Sequence, residues 1–305
     1  MSIESLRVQS WPGSYDAAAK PRVGFFTDTS VCIGCKACEV ACKEWNQIPE
    51  DGLKFTGDSY DNTGGLGADT WRHVAFIEQQ LPLGLDDGAR LVKQVARAEL
   101  DTVPVHENAG LRWLMSADVC KHCTEAACLD VCPTGSLFRT EYGTVVVQED
   151  ICNGCGYCIP ACPFGVLDQR GTAGEAGGRD GRVWKCTLCY DRLKDDQEPA
   201  CAKACPTDSI QFGELDELRN RADERLRVLE DRGVPEARLY GRDDRDGVGG
   251  FGAFFLLLDE PEVYGLPPDP KVCTRDLGET WQAAAAAAAV VVAGTVLATF
   301  AGSRR

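Results

Sequence analysis

The sequence predicts an α+β chain of two cysteine-dense modules, the second inserted within the first, followed by a C-terminal extension and one terminal transmembrane helix. Three observations predict it. Sixteen of the 17 cysteines fall into four quartets, short alternating apolar runs lie between them, and a charge-free stretch from Ala283 to Gly302 stands near the end of the 305 residues. The formal net charge of −15 argues against a nucleic-acid partner, which would need a basic face. A composition 44 % hydrophobic and 26 % charged is that of a folded protein. With only 3 His, the chemistry rests on the cysteines.

The quartets are Cys32, Cys35, Cys38, Cys42; Cys120, Cys123, Cys128, Cys132; Cys152, Cys155, Cys158, Cys162; and Cys186, Cys189, Cys201, Cys205. The first and third are C-x2-C-x2-C-x3-C runs, the second lengthens one gap to four residues, and the fourth opens that gap to eleven. Secreted disulfide frameworks carry a signal peptide and usually an even count. This count is odd, and Met1 to Lys20 holds no unbroken apolar run. Structural zinc tends to use cysteine pairs a dozen or more residues apart. Dense quartets instead suit [4Fe-4S] cubanes, which take one thiolate per iron; in two-cluster ferredoxins the fourth cysteine of a run ligates the other cluster.

The sequence therefore predicts two bacterial-ferredoxin-like two-cluster modules and four [4Fe-4S] clusters. The crossed-ligand rule assigns cluster 1 to Cys32, Cys35, Cys38 and Cys205, and cluster 4 to Cys42, Cys186, Cys189 and Cys201. Cluster 2 takes Cys120, Cys123, Cys128 and Cys162, and cluster 3 takes Cys132, Cys152, Cys155 and Cys158. Gly34, Gly154 and Gly156 are read as places where a missing Cβ lets backbone approach inorganic sulfur. Pro133, Pro163 and Pro206 fix φ just after a fourth cysteine. Ile33, Ile151, Val131, Ile159, Phe164 and Val166 are candidates for keeping water off the clusters. Lys36, Lys121, Lys185 and Lys203 lie within or against quartets; they can offset cluster charge or sit as solvated surface lysines.

Along the chain, residues 1–22 read as an irregular arm. The outer module spans 22–100 plus 180–214, with a turn-rich Asp58–Ala68 and a strand at Arg72–Glu78. The inner module spans 101–179, with a strand over Gly143–Gln148 and a flexible Gly171–Gly181 loop at its end. The extension covers 215–280. There Leu215, Leu218, Ala222, Leu226 and Leu229 recur at helical steps and Gly233 closes the pattern, an amphipathic helix expected to pack on the protein's own core. Gly247-Val-Gly249-Gly-Phe-Gly252 has the letters of a dinucleotide loop, but a charged loop precedes it and the strand-like Phe254–Leu258 follows, the wrong context. A helix over 281–303 would be roughly 30 Å long, enough to cross a hydrocarbon core. Its run of alanines adds little apolar surface, and an Ala-rich soluble tail is the alternative. If it inserts, Arg304 and Arg305 favour a cytoplasmic C-terminus, with the cluster domain on the outer face. His73, His106 and His122 invite a ligand reading, but the quartets are complete without them. Cys273 is left as a free or buried thiol.

From about Thr27 to Trp281 the sequence resembles the iron–sulfur (beta) subunits of membrane-bound molybdenum or tungsten formate dehydrogenases. The residues that carry the resemblance are Cys-Ile-Gly-Cys-Lys-Ala-Cys-Glu-Val-Ala-Cys-Lys-Glu-Trp-Asn at 32–46 and Cys152-Asn-Gly-Cys-Gly-Tyr-Cys-Ile-Pro-Ala-Cys-Pro-Phe164. Outside the quartets they are Thr70-Trp-Arg-His-Val74, Gly247-Val-Gly-Gly250 and Pro261-Glu-Val-Tyr-Gly-Leu-Pro267. The resemblance implies a non-catalytic electron-transfer subunit in a respiratory chain. It would take electrons from a molybdopterin-containing catalytic (alpha) subunit and pass them to a membrane cytochrome b-type (gamma) subunit and quinone. It also implies association with the bacterial cell membrane; the cluster domain is expected on the outer (periplasmic) face, with the cytoplasmic face as the alternative. The same quartets would fit the equivalent subunit of a dimethyl sulfoxide or polysulfide reductase or of a nickel–iron hydrogenase. An enzyme acting on substrate by itself, or a zinc-binding interaction protein, are readings of other classes.

Overall fold

A computed structural model describes residues 20–51, 57, 60–61, 63–80, 111–171 and 181–302. The apolar run Val23–Asp28 forms β1, its last five residues buried. It pairs antiparallel with β8 (Ile210–Glu214), Phe25 opposite Phe212. On its other side it runs parallel to β10 (Ala253–Leu257), Phe25 opposite Ala253. Strand β9 (Arg238–Tyr240) completes a sheet of order β8-β1-β10-β9. Every residue of β10 is buried, which is what a strand covered on both faces requires.

Helix α6 (Leu215–Asp231) turns Leu215, Leu218, Ala222 and Leu229 inward, as the spacing predicts. They join Phe26, Phe254 and Leu256 in one core cluster, so the helix packs on its own subunit. Fully burying one such leucine contributes about 1.5–3 kcal/mol. Beyond this sheet, β2 (Arg72–Gln80) pairs antiparallel with β3 (Leu111–Val119), from Arg72 opposite Val119 to Gln80 opposite Leu111. Two short hairpins follow, β4 (Leu137–Arg139) with β5 (Val145–Val147), and β6 (Asp168–Gln169) with β7 (Val183–Trp184).

Short helices carry the cysteines. Helix α1 (Ala37–Trp45) holds Cys38 and Cys42, α2 (Ala127–Asp130) holds Cys128, and α3 (Cys158–Ala161) begins at Cys158. Helix α4 (Tyr190–Lys194) starts just after Cys189, and α5 (Ala200–Lys203) holds Cys201. Helix α1 packs against α5, and α2 against α3. The helix of the first quartet thus meets that of the fourth, and the second meets the third.

Several sequence expectations need correction or trimming. The last helix, α7, runs Leu277–Gly302, but among the described residues no helix is long and apolar enough to cross a membrane. The transmembrane helix expected over 281–303 is therefore unsupported. Its described side chains are dominated by the alanines Ala283–Ala289, with Glu279 and Gln282 in the first turns; residue 303 and the side chains of 297 and 300–302 lie outside the described residues. The strand expected over Gly143–Gln148 is confined to Val145–Val147, because Gly143, at φ 77, belongs to the preceding turn. Most of the N-terminal arm, part of the Asp58–Ala68 stretch, the module boundary at 100/101, His106 and 172–180 of the Gly171–Gly181 loop lie outside the described residues. Where a dinucleotide loop would open a helix, Gly252 leads straight into β10.

Candidate cluster-binding sites

None of the 17 cysteines is in a disulfide, and those of the quartets gather in four groups. Burial raises the Cys32 thiol above its usual range, and Cys205 and Cys35 add to the rise. Burial also pushes Cys38 up to about 12, Arg72 pulling the other way and Cys201 adding to the rise. The Cys42 thiol rises well above the usual range because burial strips its water and Cys186, Cys201 and Cys189 crowd it. Cys123 rises for the same reason, among Cys120, Cys128 and Cys162. Burial lifts Cys158 to about 11, with Cys132, Cys152 and Cys155 beside it. Cys132 is the exception. Burial raises it, but N–H groups of Leu137, Thr134 and Ser136 together with the Thr134 hydroxyl outweigh that and lower it.

The groups also influence one another electrostatically. Cys201 raises Cys38, Cys120 raises Cys186, itself pushed by burial to about 12, and Cys158 is among the thiols that raise buried Cys128. Thiols this desolvated stay neutral at pH 7 unless a positive charge compensates them, which is what a metal supplies. Among the described residues no three Cys, His, Asp or Glu side chains are spaced to hold a single metal ion. The donor set is four groups of sulfur ligands too spread for one zinc, which fits a larger body with several metal corners.

Two glycines shape the cysteine loops. Gly34 lies at φ +65 and a Cβ there would meet Met115 Sδ and Phe76 at 2.7 Å; Gly154 lies at φ +71 and a Cβ would sit 2.3 Å from Gly181 O. Their necessity thus comes from the left-handed turn and the crowding of neighbouring protein, not from sulfur alone. Val131, Ile159, Phe164 and Val166 pack into the core around the cysteines, whereas Ile33 and Ile151 are exposed. Those two cannot exclude water within this subunit, because each sits at the rim of its loop.

The four lysines divide. Lys121 and Lys185 are each 1 % exposed, while Lys203 faces solvent and Lys36 pairs with Glu39 and Asp61 near the surface. The Lys121 ammonium is met by Asp118 and the Val119 carbonyl, and that of Lys185 by the carbonyls of Val145 and Cys186. His73 contacts Asp61 at 3.2 Å and Thr63 at 2.8 Å, in a polar network away from the thiols. His122 is different. Its Nδ1 accepts from Val145 N at 3.1 Å, which assigns the proton to Nε2, a buried atom with no partner. Burial, then Lys185, Arg22 and Arg139, hold its pKa well below the ordinary histidine value. The ring lines the same apolar cavity as Cys120, Cys123, Cys128 and Cys162. An orphaned N–H in a cavity walled by four thiols fits a sulfur-rich group that accepts hydrogen bonds. Sequence reasoning passed over Arg72, fully enclosed among the thiols; its letter looks like any surface arginine.

Comparison with known proteins agrees with this donor chemistry. Residues 31–136 and 111–215 each match a family described as a 4Fe-4S dicluster domain. The formate dehydrogenase iron-sulfur subunit of Haemophilus influenzae is 40 % identical over 257 residues, covering 83 % of this sequence and 71 % of its own length. The nitrate-inducible formate dehydrogenase iron-sulfur subunit of Escherichia coli is 38 % identical over 287 residues, 93 % of this sequence and 83 % of its own. The B subunit of the anaerobic dimethyl sulfoxide reductase of E. coli is 34 % identical over a shorter 199 residues, 65 % of this sequence and 76 % of its own.

Proposed function

Because this protein belongs to the family of formate dehydrogenase iron–sulfur subunits, we propose that it is a wire without catalytic chemistry of its own. It takes electrons from a molybdopterin-containing catalytic subunit and delivers them to a membrane cytochrome b-type subunit. The two dicluster domains give it four [4Fe-4S] clusters, each of which supplies a buried site that gains and loses one electron.

The ligand sets proposed are Cys32, Cys35, Cys38 and Cys205; Cys42, Cys186, Cys189 and Cys201; Cys120, Cys123, Cys128 and Cys162; and Cys132, Cys152, Cys155 and Cys158. The observation that supports them is the grouping of the thiols, in which the cysteines that raise Cys42, Cys123 and Cys158 are the other members of their own sets. Between sets, Cys201 raises Cys38, Cys120 raises Cys186 and Cys158 raises Cys128. They support a single file in which clusters 1, 4, 2 and 3 follow one another. The division into an outer module, 22–100 with 180–214, and an inner one, 101–179, is supported by the packing of α1 on α5 and α2 on α3. The protein's part is to hold the thiols, keep water away with Val131, Phe164 and Val166, and supply buried positive charge.

Membrane association is proposed through the cytochrome-bearing partner, with the cluster domain on the outer face. Helix α7, whose Val290, Val291 and Val292 are all exposed, is the segment available for that contact. The test is to purify the protein anaerobically with whatever binds it and assay iron, sulfide, molybdenum and tungsten together. About sixteen iron and sixteen sulfide per chain, with molybdenum or tungsten in a large partner that oxidises formate, is the expected result. A partner that reduces dimethyl sulfoxide instead would move the protein to the reductase branch. Zinc without sulfide would overturn the reading.

A further inference from the structure

Arg72 opens β2 and is 1 % exposed. Its Nη1 donates to Ala117 O at 3.0 Å, and its Nη2 donates to Cys201 Sγ at 3.3 Å. The guanidinium lies 5.0 Å from the centre of the Phe25 ring, and its Nε, also buried, has no hydrogen-bond partner. Burial works against the charge, and the groups that hold it up are Cys201, Cys38 and Cys186. Among the described residues none of the salt bridges includes Arg72, whereas Lys121, another deeply buried cation, has Asp118.

A guanidinium cannot escape burial by losing its proton. Left unpaired in the interior it is strongly destabilising, so an anion must meet it. The sulfurs around it belong to two proposed sets, Cys38 to cluster 1 and Cys186 and Cys201 to cluster 4. We propose that Arg72 is a fixed buried cation at the junction of clusters 1 and 4 that raises the reduction potential of both and steadies the electron hop between them. This rests on the cluster assignment above. An electron arriving on either side makes that side more negative, and a cation between the two stabilises the added charge on each. The N–H donated to Cys201 Sγ acts in the same direction, since hydrogen bonds to cluster sulfurs tune potential. Lys121 does this less, because Asp118 neutralises it.

The test uses the complete complex, purified anaerobically, as wild type, Arg72→Met and Arg72→Lys, with iron and sulfide counted before each redox titration followed by electron paramagnetic resonance. In Arg72→Met with about sixteen iron, the ratio of reduced to oxidised cluster at a fixed ambient potential is expected to fall at least tenfold for two of the four clusters, about 59 mV for a one-electron couple. The other two should not move, and Arg72→Lys should recover most of the shift. Full iron with four unchanged potentials would overturn the proposal. If Arg72→Met fails to assemble, wild-type complex labelled with 15N-arginine decides. Pulsed resonance on the reduced protein should show a 15N coupling that Arg72→Lys lacks, and its absence would equally overturn it. Iron well below sixteen in the wild-type complex would instead count against the cluster assignment, so the two failures are distinct.

Discussion

Replacing Gly154 by alanine tests how tightly the third quartet is built. Gly154 lies between Cys152 and Cys155 at φ +71, and an added Cβ would sit 2.3 Å from the Gly181 carbonyl oxygen. Either the cysteine loop or the segment leading into β7 must give by about 1 Å to restore an ordinary contact. The left-handed backbone alone costs about 1–2 kcal/mol for a residue with a Cβ, and overpacking adds about 1–3 kcal/mol. Gly156→Ala is the matched control. It lies at φ +75, but its Cβ would have nothing nearer than 3.7 Å, so it bears only the backbone cost. The difference of about 1–3 kcal/mol corresponds to roughly 5- to 150-fold faster loss of iron from that set. Iron per chain after anaerobic purification and the rate of release to a chelator would be measured side by side. About twelve iron in Gly154→Ala against about sixteen in Gly156→Ala is expected. Equal iron and equal release rates in the two variants would show that the Gly181 contact does not constrain the loop.

Other outcomes follow from the same geometry. Leu218 is fully buried under the main sheet, so Leu218→Ala should lower unfolding stability by about 2–5 kcal/mol without lowering iron in the folded protein; a change under about 1 kcal/mol in denaturant titration would refute the packing. Burial pushes the thiols of Cys38 and Cys186 up to about 12, whereas an unfolded cysteine titrates near about 8.5. As pH rises above that value the unfolded protein sheds protons that the native, iron-free form still holds, so stability present below about pH 8 should decline toward pH 11. A melting temperature of iron-free protein that stays level from pH 7 to 10.5 would contradict this. Cys273 is exposed and outside the four groups, and Cys273→Ser should keep every iron; loss of any would make it a ligand.

What could be read from the sequence was local. Ligand chemistry lies in spacings of two and three residues, and α6 shows itself in one face of leucines, so both were visible along a line of letters. The pairing of β1 with β10 was not, because Phe25 and Ala253 meet only after every intervening element is placed. Burial of charge was equally hidden. Lys185 and Lys203 each stand within two residues of a quartet cysteine, yet one is enclosed by β5 and the other points to water. Arg72 reads as an ordinary strand-end arginine until β3, Phe25 and α5 close around it. The terminal helix lies at the other limit: freedom from charge suggested a membrane span over 281–303, and among the described residues no helix is long and apolar enough to cross a membrane.

The order of strands in the main sheet also sets a timetable for synthesis. Strand β1 emerges from the ribosome early with Phe25 and Phe26 needing cover, but its neighbours are β8, which begins at Ile210, and β10, which begins at Ala253. At about 5–20 residues per second the second of these arrives roughly 10–50 s later. Until β8 is made the nascent polypeptide exposes an apolar strand with both edges open beside the thiols of the first quartet, and one edge stays open until β10 follows. A fragment ending before Ala253 would leave that edge of β1 permanently uncovered and would be expected to aggregate rather than fold.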